Sequence, residues 1–158
     1  MNWVLFWLVL HILAAIIAFG PIFVFPLVGT LAAKNPKHIA FAVAVNHAIE
    51  KRLVTPVGAT MLISGSGLIW SANVNFFTTP YLIVAVVFYL TALGLGTAVL
   101  GPNTEKMMAL VEGDGPPDQG KLMPLILTNQ RVGAFSTVLF LAIVLLMIIQ
   151  PGGLTFRT

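Results

Sequence analysis

His11 is the residue around which a chemistry could be built. It stands well inside the apolar run Trp3–Ala33 and is the only His, Lys, Arg, Asp or Glu so placed in any long apolar stretch. Ionisable groups inside a membrane mark functional sites by default. A neutral imidazole is also the common axial ligand of haem. The plainer role is a hydrogen bond that ties one helix to another, worth about 0.6 kcal/mol in a membrane.

Depth decides which residues can meet it. At 1.5 Å per residue, His11 lies about 12 Å from the Trp3 end of its helix. Counting inward from Ala72 on the next apolar segment, Ser64 reaches the same level, and counting from Pro80 on the third, so does Tyr89. Met61 lies slightly deeper. Three partners follow: Ser64 or Tyr89 for a structural bond, and Met61 as the second axial ligand of a b-type haem. A pairing of His11 with His47 fails, because the vertical offset exceeds about 15 Å.

A second constellation gathers near the opposite membrane boundary. Asn46, His47, Glu50, Lys51 and Arg52 stand close together in sequence, and Asn129, Gln130 and Arg131 arrive at a similar depth on the last segment. Glu50, Arg52 and Arg131 form the polar cluster expected there. A Glu50–Arg131 ion pair would lock the second helix to the fourth; alternatively these side chains anchor the helices by reaching to water and headgroups.

Other chemistries are missing from the sequence. The chain has no Cys, which removes thiolate catalysis, disulfides and Cys-ligated metals or iron–sulfur clusters. No His/Asp/Glu set has metal-ligand spacing, and no Ser-His-Asp set is visible. Ser64-Gly65-Ser66-Gly67 is not a phosphate loop, since no Gly-Lys-Ser/Thr follows. A net charge of +3 orients a membrane protein rather than recruiting nucleic acid.

The elements that position these residues are membrane helices. Of the 158 residues, 58% are hydrophobic and 8% charged, against roughly 25% charged in a soluble domain. A span needs about 20 apolar residues. Four segments supply one: 3–33, 53–72, 80–100 and 122–149, the second continuing a helix that starts near Pro36. The fold class expected is all-α, a four-transmembrane-helix bundle forming a single domain over 1–158. Met1-Asn2 lacks the basic start of a secretory signal and the run after it is too long, so the first helix reads as retained.

Seven of the eight Lys and Arg residues fall in two stretches, Lys34–Arg52 and Glu105–Arg131, and all five acids lie there too. Basic loops stay cytoplasmic, which places both termini outside; Arg157 is the one dissenter. Trp3, Trp7, Trp70, Phe76, Phe77 and Tyr81 then cluster at the outer boundary as an aromatic belt. The first hairpin is long. Asn35-Pro36 reads as a cap and first-turn proline of helix 2, and a 31-residue arm spans about 46 Å against about 30 Å of hydrocarbon. The surplus is absorbed by tilt, with kinks at Pro21 and Pro26, or it protrudes and docks on a partner. Gly101–Thr104 reads as the end of helix 3, Glu105–Glu112 as a short interfacial helix, and Gly113–Pro117 as a breaker run. Ala14/Ala18, Gly94/Ala98 and Gly133/Thr137 are small-residue pairs that let helices approach closely, as Ser64–Gly67 does.

The stretches Leu10–Ile17, Lys51–Gly58 and Ser66–Leu68 resemble a bacterial family of predicted integral membrane proteins, domain of unknown function 2269. Phe19-Gly20-Pro21 stands where that family usually has a Trp and paired glycines. The Leu10-His11 opening is also similar to copper resistance D-like proteins and small membrane protoporphyrinogen oxidases. The latter resemblance implies a haem-linked role for His11; the Lys those oxidases carry on a later helix has no counterpart in the third segment here. The expectation is a multi-pass protein of the bacterial cytoplasmic (inner) membrane without a catalytic signature. It would act as an accessory or assembly subunit, with the lipid bilayer and a membrane protein or second copy as partners. The alternative is a haem b redox protein using His11.

Overall fold

The computed structural model describes residues 2–33, 36–112 and 118–151. Lys34, Asn35, Gly113–Pro117 and Arg157 lie outside them, so the cap expected at Asn35, the breaker run and the dissenting charge do too. The described residues form helices and connecting turns. Helix α1 is Trp3–Ala33; α2, Ile39–Ile49, continues into α3, Thr55–Ser71; α4, Pro80–Leu95, continues into α5, Gly101–Val111; α6 is Gln119–Ile149. Four helical columns result, each long and apolar enough to cross a membrane.

Two of the columns are interrupted in the same way. A π-helical turn at Glu50–Val54 joins α2 to α3, and another at Gly96–Leu100 joins α4 to α5. Each precedes a proline by two residues, Pro56 and Pro102. Proline has no N–H to donate, and its ring crowds the carbonyl one turn back. The wide turn relieves both problems: Thr55 N–H bonds the Glu50 carbonyl and Gly101 N–H bonds the Gly96 carbonyl. Helix 3 therefore does not end at Gly101–Thr104. It runs on through the residues expected as a separate interfacial helix, and the second hairpin is as long as the first. In α1, Pro21 and Pro26 are accommodated without a break in the helix.

The outer link is short. Asn73 adopts the left-handed conformation (φ 52°), and Asn75 Oδ1 accepts from Phe77 N–H at 3.1 Å, starting one 3₁₀ turn at Phe76–Thr78. Pro80 opens α4 in the first helical turn, where its missing donor costs nothing. At the start of α6, Asp118 Oδ1 accepts from Gly120 N–H at 3.0 Å.

Packing occurs in two layers. In the outer layer α1 lies against α3 and α4 against α6. Ala14, Ala18 and Met61 form the buried centre, flanked by Ala15, Phe19, Val57 and Tyr89. Phe19 meets Phe140 of α6 with ring centroids 4.4 Å apart. The Ala14/Ala18 pair thus brings two helices close. Gly94 and Gly133 do not, since a methyl added at either would meet nothing within 4 Å; Ala85 and Ala92 are the buried small residues of α4. In the inner layer α2 packs on α5. Val43, Met107 and Leu122 form a second buried centre there.

Candidate functional site

His11 sits on the seam between α1 and α3. Trp7, His11, Ala14 and Ala18 recur at helical spacing along α1 and meet Gly67, Gly65, Ser64 and Met61 of α3 in antiparallel order. A Cβ on Gly65 would lie 3.3 Å from His11 Cε1, and one on Gly67 would lie 2.5 Å from Trp7 Cδ2. The glycines give the two rings room to lie against the α3 backbone.

Ser64 is completely buried and its Oγ lies 3.1 Å from His11 Nδ1. The Ser64 hydroxyl donates to the Met61 carbonyl at 3.2 Å. With that proton placed on the carbonyl, the matching imidazole tautomer has its N–H at Nδ1, donating to Ser64 Oγ, and a bare Nε2. The depth count found this partner. Tyr89, the other residue within reach, turns elsewhere: its hydroxyl donates to the Gly58 carbonyl at 2.6 Å and ties α4 to α3.

The fit of this site to haem is partial. An imidazole held through Nδ1–H with Nε2 free is how ligating histidines are oriented. Met61 does not complete the pair. Its side chain is buried against Ala14 and Ala18, and a porphyrin between it and His11 would have to part α1 from α3.

The second constellation sits beside the π turns. Glu50 does not pair with Arg131. Thr104 of α5 lies beside its carboxylate; the Thr104 hydroxyl donates to the Leu100 carbonyl at 2.8 Å and accepts from Asn129 Nδ2 of α6 at 3.2 Å. Arg52 and Arg131 are exposed and stand apart from this network. Lys51 pairs with Glu105 at 3.8 Å, with both side chains largely exposed. The sequence marks Glu50, Asn46 and Asn129 but not Thr104, because Gly101-Pro102 reads as a helix end. The π turn that carries the helix past that proline has no signature in the sequence; it puts Thr104 one helical turn beyond Leu100, where it is buried.

Among the described residues, no group of three or more His, Asp or Glu side chains could hold a metal ion. Two surface grooves among the described residues are open and apolar, one along Leu5, Val9 and Leu13 and one between Phe88 and Leu145; neither includes His11 or Glu50. No curated protein and no solved structure matches the chain. Residues 5–151 match the family described as predicted integral membrane protein (DUF2269), and with four membrane-length apolar helices in place the chain belongs to that family.

Proposed function

We propose that this protein is a non-catalytic accessory or assembly subunit of a larger complex in the bacterial cytoplasmic membrane, held there by a partner membrane protein. The observation that supports this is Phe41, which is 73% exposed and lies about 45 Å along its column from the outer end of α3. The hydrocarbon core is only about 30 Å thick. Phe23, Leu27 and Leu31 recur every fourth residue on α1 and are exposed as well. Tilt does not absorb this length: fitting a 46 Å helix into 30 Å needs about 50°, beyond the 0–40° range of membrane helices. Large apolar side chains are therefore carried past the lipid tails, where only another apolar surface covers them.

The test is affinity purification of the tagged full-length chain from its native membrane in mild detergent. One membrane protein at fixed stoichiometry, lost in Phe41→Ser and Leu31→Ser variants that still fold, is expected. Recovery of a lone monodisperse chain removes the reading. Haem binding through His11 is the second reading, favoured by the bare Nε2. The visible spectrum of the same preparation tests it: no Soret band, or one unaltered by His11→Ala, ends it.

A further inference from the structure

The polar layer at the π turns holds two buried carbonyl oxygens that nothing among the described residues satisfies. Asn46 Oδ1 and Asn129 Oδ1 are fully buried atoms without a hydrogen-bond partner. The Thr104 hydroxyl has a single proton and two claimants, the Leu100 carbonyl at 2.8 Å and the Glu50 carboxylate. Asn129 Nδ2 gives one of its two protons to Thr104. Glu50 has no Lys or Arg partner within ion-pair distance; the ion pairs among the described residues are Lys51–Glu105 and Lys121–Asp118. His47 and Glu105 are the other titratable groups whose charge reaches it.

Thr104 adjoins both Glu50 and Asn129, and Asn46 of α2 stands one helical turn before Glu50. Val43 of α2, Met107 of α5 and Leu122 of α6 pack together. Moving from each toward the membrane along the same helix face reaches Asn46 and Glu50, Thr104, and Asn129 respectively. Gly101 borders the carboxylate: a Cβ there would sit 3.4 Å from Glu50 Oε1 and 3.3 Å from the Gly96 carbonyl. The glycine keeps that flank of the carboxylate uncrowded.

Two buried carbonyl oxygens without donors, beside a half-buried carboxylate, suit an occupant that brings positive charge or protons. Carboxylate, amide carbonyl and hydroxyl oxygens are the donor set of hard cations. One acid supplies one negative charge, whereas calcium sites draw on several carboxylates. We propose that Glu50, Asn46, Thr104 and Asn129 form a binding site for one monovalent alkali cation, which staples α2, α5 and α6 at the inner edge of the membrane.

The experiment is thermal unfolding of the detergent-purified full chain in sodium, potassium or choline chloride at equal ionic strength. A saturable rise of about 3–6 °C in sodium or potassium over choline is expected at roughly tenfold the dissociation constant. The isosteric Glu50→Gln variant should lose that difference. Identical midpoints in all three salts overturn the site, since a buried water then satisfies the oxygens. A rise that survives in both Glu50→Gln and Asn129→Leu is surface screening and overturns it equally. Should Glu50→Gln not fold, equilibrium dialysis of the wild-type chain with radioactive sodium decides: one ion per chain, displaced by unlabelled sodium and not by choline, supports the site, and none refutes it.

Discussion

Two glycine-to-alanine substitutions test the α1–α3 seam with the same chemical change. In Gly67→Ala, the new Cβ would lie 2.5–2.7 Å from three atoms of the Trp7 indole. Ordinary carbon contacts begin near 3.5 Å, so the ring must retreat by about 1 Å or the helices must separate. Overpacking of this kind costs about 1–3 kcal/mol. In Gly94→Ala the new Cβ meets nothing within 4 Å. Both substitutions gain the same helix propensity, about 1 kcal/mol, so subtracting one from the other leaves the steric term. Reversible unfolding in mixed micelles measures both, and Gly67→Ala should be less stable than Gly94→Ala by about 1–3 kcal/mol. Shortening Trp7 to Leu should erase most of the gap. Equal stabilities, or a gap indifferent to Trp7, would refute the antiparallel seam that places His11 against Ser64.

Two other outcomes can be measured on the same material. Ser64→Ala removes the acceptor of His11 Nδ1–H and should cost between about 0.6 and 1.7 kcal/mol, with no further loss when His11 is already Leu; a full loss in the His11→Leu background would mean that the hydroxyl matters for another reason. Because the chain has no Cys, single thiols at Ala72 and Lys106 report orientation: a membrane-impermeant maleimide should label Ala72→Cys in intact cells and Lys106→Cys only after lysis, and the reverse pattern would invert the topology.

Composition and hydrophobic length were enough to read the four columns, because a bilayer imposes one requirement on every spanning segment. Depth counting also recovered the His11–Ser64 contact, since both positions are measured from helix ends at the same boundary. The errors arose where rise per residue carries no information. Gly101-Pro102 looks like a stop under α-helical geometry, and the π turn that carries the chain past it leaves no hydrophobic trace. Arg131 shares its depth with Glu50, but depth says nothing about which way around a helix a side chain faces, so Thr104 took the position expected for the arginine. Gly94 and Gly133 carry the same spacing as Ala14/Ala18, and only the partner surface distinguishes a close contact from an open one.

The π turns have a further consequence for how the bundle is wired. Val43 and Met61 are eighteen positions apart, about five turns of regular α-helix, so an uninterrupted helix would point both at the same neighbour. They point at different ones: Val43 at Met107 and Leu122, Met61 at Ala14 and Ala18. One surplus residue amounts to about 100° of rotation, and the turn at Glu50–Val54 supplies that change of phase. The column is thereby keyed to two different interfaces. Deleting a single residue from that turn would restore a smooth helix and keep both facings, since seventeen residues of regular helix leave the same offset of about 100°; winding the full-length column into unbroken α-helix would instead rotate Val43 out of the inner layer if Met61 kept its place against α1.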